Sequence, residues 1–207
     1  MVKIELAALL NEHLKNKTPK KADPRSYFFI SEAGKHPPDI FRSLTTHHWV
    51  PPKVRRLQEI GSATHRRVCK LLGEMGLLEQ TEVGVGDDLF RGYADAVIRI
   101  PDKGLMAVEI KTVGKKEFDS ILRRGVPTWH SYAQLQLYLH YLGISRGIIL
   151  FIENNTLEDF LMPLEEYRPG QRMKEFRIRK NGKIINQTIR KFSRLKETFV
   201  KAGVMKE

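Results

Sequence analysis

The stretch Ala107-Val108-Glu109-Ile110-Lys111-Thr112-Val113 constrains this chain more than any other. It is apolar and β-branched, as a buried strand is. Yet a carboxylate and an ammonium stand in its middle. Alternate residues of a strand leave from the same face, so Glu109 and Lys111 project side by side into one space. A buried charge costs several kcal/mol unless it is paired or bound to a metal. Taken alone, the tripeptide fits a structural ion pair or a solvated strand face. The rest of the chain decides whether it is more than that.

The 207 residues are 41% hydrophobic, which suits one α/β domain with appendages. We read an N-terminal helical part over about 1–75, a core over about 76–165 and a basic C-terminal region over about 168–207. The net charge is +12. Residues 168–207 hold 13 Lys/Arg against 3 Asp/Glu, so most of the excess lies there. Such a segment suits a polyanion, most commonly nucleic acid, although a solvated helix face would look similar. Cys69 is the one cysteine, so one chain can build neither a disulfide nor a cysteine-based zinc or iron–sulfur site. No apolar run reaches membrane-spanning length and no signal-peptide pattern opens the chain, so a cytoplasmic protein without membrane attachment is expected.

Residues 2–15 read as an amphipathic helix and 15–21 as a basic loop. Phe28-Phe29-Ile30 is a short apolar segment, and Pro37-Pro38 can start a helix through about Leu44. His47-His48 reads as loop, with no carboxylate or cysteine beside it to complete a metal site. A long helix is expected over 52–73, ended by Gly73 and Gly76. Gly61 and His65 share one of its faces, and Gly61 would let another backbone approach. Strands follow at about 78–85, 89–100 and 105–113, the last two joined by Pro101-Asp102-Lys103-Gly104. Helices are expected at 115–124, closed by Gly125, and at 129–142, capped by Thr128 and ended by Gly143. On the second, His130, Gln134 and Tyr138 form a polar stripe that lacks the Lys and Glu of an ordinary solvent face. Residues 147–152 should form a central strand. Asn154-Asn155 would lead to an edge strand near 157–162, and 173–179 alternates weakly. Asn181-Gly182 turns the chain into a C-terminal helix over about 184–201.

Asp95, inside Gly92-Tyr93-Ala94-Asp95-Ala96-Val97-Ile98, is a second acid in an apolar strand. With a plain four-residue turn Ala96 would oppose Glu109, and Asp95 would face away from it. Convergence of the two acids therefore requires a bulge or an odd-length turn that slips the register by one. Two such acids plus a lysine suit phosphodiester hydrolysis. Hard oxygen ligands bind Mg²⁺ or Mn²⁺, and a lysine beside the attacking water can orient or deprotonate it. A histidine ligand tilts the choice towards Mn²⁺ without excluding Mg²⁺.

His65, Gly92-x-x-Asp95, Glu109-x-Lys111 and Gln134-x-x-x-Tyr138 stand in the order and approximate spacing of the RecB-like branch of the PD-(D/E)xK nucleases, which the chain resembles over about 28–165. The resemblance implies a restriction-endonuclease-like α/β core, a central mixed sheet flanked by helices. It also implies His65, Asp95 and Glu109 as metal ligands, completed by the Ile110 carbonyl. Lys111 would be the catalytic lysine beside Asp95 and Glu109. Gln134 and Tyr138, with His130 on the same stripe, would meet the DNA backbone or support Lys111.

Ser31-Glu32-Ala33-Gly34-Lys35-His36-Pro37-Pro38 is similar to the N-terminal motif of the CRISPR-associated RecB-like exonucleases. In that group a cysteine opens an iron–sulfur site and three more lie near the C-terminus. Here His36 takes that place and the later cysteines are missing, so a related nuclease without the cluster is expected. The resemblance implies a metal-dependent DNA exonuclease of recombination, repair or replication, acting on single strands or single-stranded ends. A non-catalytic DNA-binding or assembly subunit and an RNA-directed nuclease are the alternatives. A homo-oligomer or a helicase or recombination partner would suit processive digestion, but no motif specifies either.

Overall fold

A computed structural model of the chain describes residues 24–46, 50–153 and 173–207. In it β1 (Phe28–Phe29) runs into a 3₁₀ turn (Ile30–Glu32), followed by α1 (Pro37–Thr45) and α2 (Pro52–Glu74). Next come β2 (Leu78–Gly86), β3 (Phe90–Ile100), β4 (Gly104–Val113), α3 (Lys115–Arg124) and α4 (Trp129–Tyr141). β5 (Arg146–Glu153), β6 (Met173–Arg179) and α5 (Gly182–Lys201) complete the described chain. The expected helix over 2–15, the loop at 15–21, His47-His48 and the strand near 157–162 lie outside the described residues.

The strands form one mixed, six-stranded sheet. β2, β3 and β4 are successive antiparallel neighbours, β5 runs parallel to β4, and β6 pairs antiparallel with β5. The most apolar strand, β5, is interior but not central, because the acid-bearing β4 holds the middle of the order. The outer place beyond β5 goes to β6, taken from the basic segment. That segment is thus built into the fold. Asn181 caps α5 by accepting hydrogen bonds from the Lys183 and Ile184 amides, and Ile185, Phe192 and Phe199 enter the core.

β3 is shared in an unusual way. β2 pairs with it from Arg91 to Ile98 and takes one edge. The other edge is divided: β1 pairs in parallel with Phe90 and Arg91, while β4 pairs with Ala96 to Ile100. Between those pairings, residues 92–95 have no strand neighbour on that edge among the described residues. Asp95 therefore lies where the sheet splits.

The side-chain alternation also changes phase here. Phe90 and Ala94 pack with α4 and α5, whereas Ala96 and Ile98 pack with Val68, Cys69 and Leu72 of α2. Val97 is back in the cluster with Leu135 and Leu139 of α4. The change of face between Ala94 and Ala96 occurs at Asp95 with no change of register across β2, whose shift lies between Leu78 and Gln80. Across the ladder stands Glu82, a non-glycine residue at φ +48°. None of the described helices is long and apolar enough to cross a membrane.

Candidate active site

The turn between β3 and β4 sets the geometry. Ile100 pairs with Gly104, leaving only Pro101, Asp102 and Lys103 between them. Asp102 at φ +59° and Gly104 at φ +77° make this tight reversal. Ala96 then opposes Val108, not Glu109, so the ladder has the slipped register that convergence of the two acids required.

The ladder stops at Ala96 and Val108, and Asp95 bridges the gap. Its Oδ2 accepts a hydrogen bond from the Ile110 amide at 2.7 Å. Its Oδ1 lies 3.3 Å from His65 Nδ1, which α2 delivers from its fourth turn. In an extended strand the N–H and C=O of one residue leave from the same edge. The Ile110 carbonyl therefore also faces the split, while its side chain is buried against α2.

Glu109 is only 1% exposed. Its Oε1 lies 2.6 Å from Lys111 Nζ, whereas Oε2 is buried without a hydrogen-bond partner. Burial is the largest effect on this carboxyl and lifts its pKa from 4.5 to about 7, with Asp95 adding to the rise and Lys111 and His65 opposing it. Burial alone would depress the His65 pKa. The hydrogen bond to Asp95 and the charges of Asp95 and Glu109 outweigh it, and the net shift is upward.

Lys111 Nζ also donates to Gln134 Oε1 at 3.0 Å, and Gln134 Nε2 lies 3.4 Å from the Tyr138 hydroxyl. Gln134 and Tyr138 are buried, so the stripe on α4 is an inward wall and not a solvent face. Burial raises the Tyr138 pKa well above that of free tyrosine, so its hydroxyl keeps its proton. His130 lies on the same helix, one turn earlier. Burial, then Lys111 and Lys35, depress its pKa, so it sits in their field. It makes no hydrogen bond to Glu109, Lys111 or Gln134.

Several contributors were not apparent from the sequence. A Cβ on Gly92 would meet Ile30 Cβ at 3.0 Å and the Tyr138 oxygen at 3.2 Å, so this glycine makes room for that hydroxyl. Glu32 is buried and gathers Arg25, the Phe29 amide and Ser43 around its carboxylate. Behind that turn, Gly34 packs on the first turn of α4, where a Cβ would fall 2.4 Å from His130 Cα. Buried Gln136 ties β6 to α5 through the Arg179 carbonyl and the Asn181 amide. Gly92, Glu32 and Gly34 stand within the motifs quoted above, which carry no sign of these contacts, and Gln136 is named in none. Gly61, in contrast, has open space where a Cβ would stand, so among the described residues no backbone closely approaches α2 there. His36 caps α1, its carbonyl accepting from the Asp39 and Ile40 amides.

A groove of about 370 Å³ opens beside His65, Cys69, Glu82 and Asp95. In this conformation no three described His, Cys, Asp or Glu side chains converge closely enough to enclose an ion. The chemistry of the donors nonetheless fits a hard divalent cation. Carboxylate oxygens and one imidazole surround the split, and Glu109 Oε2 is buried without a hydrogen-bond partner.

No family model matches the chain. Over 89 residues it is 32% identical to the CRISPR-associated exonuclease Cas4 of Saccharolobus solfataricus, a match covering 41% of each protein. The chain thus spans less than half the length of that relative. In three dimensions it resembles the alkaline exonuclease of Laribacter hongkongensis, with a TM-score of 0.57 and 13% identity over 89% of this chain and 92% of the other. The same exonuclease in complex with dAMP gives 0.58 and 14%, over 85% and 88%. A phage-related exonuclease of Haemophilus somnus gives 0.54 and 15%, over 83% and 86%. The restriction-endonuclease-like α/β core is therefore shared with solved exonucleases, and part of the sequence with a Cas4 exonuclease.

Proposed function

We propose that the protein is a DNA exonuclease that uses a divalent metal, Mg²⁺ or Mn²⁺, to hydrolyse phosphodiester bonds. The observation that carries this reading is Glu109: a fully buried carboxylate with one oxygen on Lys111 and the other unpartnered, beside the Asp95–His65 pair. Its partial sequence likeness to an exonuclease and the fold it shares with two others support the same reaction class.

Asp95, Glu109 and His65 would hold the cation, with the Ile110 carbonyl facing the same split. When bound, the ion supplies Lewis-acid polarisation of the phosphoryl oxygen and a more acidic water. The chain's own residues do the rest. Glu109 and Gln134 grip the Lys111 ammonium from two sides, so its third proton direction is fixed. That ammonium can orient the attacking water and offset charge that accumulates on the phosphate. The Tyr138 hydroxyl accepts a hydrogen bond from Gln134, leaving its own proton for a phosphate oxygen. Burial of Glu109 and Tyr138 keeps bulk water from competing with these contacts.

The test is digestion of end-labelled single- and double-stranded DNA with Mg²⁺ or Mn²⁺, comparing wild type with Glu109→Ala and Lys111→Ala. Wild type should release short products from DNA ends and both variants should be inert. Equal inertness of all three proteins, on linear and circular substrates alike, overturns the assignment. RNA of the same sequence, included as a competitor, separates a DNA from an RNA enzyme.

A further inference from the structure

We propose that the exposed aromatic and guanidinium face formed by Tyr27, Phe29, Arg91 and Tyr93 is a stacking track that carries a single DNA strand to Asp95 and Lys111. The inference rests on the nuclease reading and names the form in which substrate reaches that site.

The track follows from strand pairing. Phe28 and Phe90 point into the core, so Phe29 and Arg91, which are paired across β1 and β3, point out. Alternation puts Tyr93 on that same outer face, and Asp95 is two residues further along it. Phe29 and Tyr93 are 45% and 70% exposed, far more than aromatic rings in a sheet interior. The path from this face to the reacting groups is short. Gly92, the neighbour of Tyr93, packs against the Tyr138 hydroxyl, which is joined through Gln134 to Lys111.

The rings are held rigidly. The Tyr27 and Phe29 rings meet edge to face with centroids 5.6 Å apart. The Arg25 guanidinium lies 4.4 Å from the Phe29 centroid and is itself anchored by two hydrogen bonds to buried Glu32. The Arg91 guanidinium lies 4.5 Å from the Tyr27 centroid. The Tyr93 ring rests over Gly84, where a Cβ would touch it at 3.3 Å. A glycine there gives the ring a flat seat on β2 and leaves its other face open. A groove of about 590 Å³ lies beside Arg91 and Tyr93. Asp87 and Asp88 border it, and Oδ1 of Asp87 is engaged by the Leu89 and Phe90 amides.

This chemistry selects its occupant. Open aromatic faces interleaved with guanidinium groups recognise unstacked bases and the phosphates between them. A duplex hides its base faces, and an acidic protein surface would have no use for rings seated flat on a strand. A single strand satisfies both features at once.

The experiment measures binding of a fluorescein-labelled oligothymidylate of about 20 nucleotides, longer than one stacking site needs, and of a blunt duplex of equal length. Binding is read by anisotropy in EDTA and melting temperatures verify folding. Tyr93→Ala should weaken single-strand binding about tenfold or more while Tyr93→Phe binds like wild type, as ring stacking requires. Arg91→Ala should weaken it too, and duplex binding should change little. The track is overturned if wild type does not bind the oligonucleotide, if Tyr93→Ala and Arg91→Ala both bind it normally, or if they lose single strand and duplex equally. Cleavage in Mn²⁺ is scored separately. Tyr93-dependent binding without cleavage by wild type sinks the nuclease assignment and keeps the track. Cleavage with Tyr93-independent binding does the reverse.

Discussion

The two ends of the β3–β4 hairpin use the same backbone differently. Near the turn, Ala96 to Ile100 and Gly104 to Val108 form a regular antiparallel ladder whose buried side chains are apolar. Beyond Val108 the strands part, and Asp95, Glu109 and Lys111 occupy the opening. One end gains stability from apolar burial and paired amides. The other end replaces a ladder hydrogen bond with a carboxylate on the Ile110 amide and tolerates an unpartnered buried oxygen. The groups proposed to react thus sit where the sheet stops pairing, and the paired end fixes their register.

The largest expected effect comes from the open end. Lys111→Ala should lower the rate of metal-dependent cleavage by about 10²- to 10⁴-fold, the range for loss of one acid–base group. Its melting temperature should also fall, because Glu109 is left buried without its partner, so the rate is compared per folded molecule. Glu109→Gln should lose activity comparably. Without metal at pH 8 it should melt higher than wild type, because the neutral amide removes the cost of a buried charge. If Lys111→Ala still cleaves at the wild-type rate, Lys111 is a structural partner of Glu109 and the open end is not the reaction centre.

The paired end should respond in the opposite sense. Ile98 is buried against α2, so Ile98→Ala should cost about 2–5 kcal/mol of stability, as large-to-small core changes do. Denaturant unfolding reads this directly. Activity per folded molecule should change by less than a few fold. An Ile98→Ala protein that is stable but inactive would erase the distinction between the two ends.

This division explains what could be read from the sequence. Glu109 and Asp95 were legible because an acid in an apolar strand breaks a short-range pattern. The odd-length turn was legible as a requirement, since strand alternation admits only two registers. β6 was not recognisable as the sheet's outer strand beyond β5, because its long-range pairing is dictated by the β5 edge it covers and its own alternation is weak. Glu32 was quoted only as part of a motif, since nothing local shows that Arg25 and Ser43 meet it. The space at Gly92 was equally hidden, because it depends on Ile30 and on Tyr138, far along the chain.

Titration gives a smaller effect, again confined to the open end. Between pH 4.5 and about 7 native Glu109 keeps a proton that the unfolded chain has released. His65, whose pKa is also raised, contributes stability that is full below its unfolded value and is lost as pH rises through its folded value. Both signs agree: metal-free protein should lose stability as pH rises from about 5 to 8, by up to about 3 kcal/mol from Glu109. Calorimetry in EDTA should show this, and Glu109→Gln should flatten the slope. Added Mn²⁺ should raise the melting temperature more at pH 8 than at pH 5, since the cation competes with these protons. A metal-free slope unchanged in Glu109→Gln would place the titrating group elsewhere.

The smallest effect tests how the two ends are joined. Gly92 lies in the interval of β3 that pairs with β2 alone among the described strands, and a methyl there would press on Ile30 and on the Tyr138 hydroxyl at once. The Ile30 contact is apolar and buried, so Gly92→Ala should cost about 1 kcal/mol by overpacking, or a few degrees of melting temperature. The Tyr138 contact acts on chemistry. Displacing the hydroxyl loosens Gln134 and with it the second grip on Lys111, so kcat should fall about tenfold, within the range for misplaced catalytic groups. Tyr138→Phe separates the two contributions, since it keeps the ring and removes the oxygen. If Gly92→Ala lowers kcat while Tyr138→Phe does not, the glycine acts through Ile30 and the 3₁₀ turn, and the hydroxyl is only packed against the site.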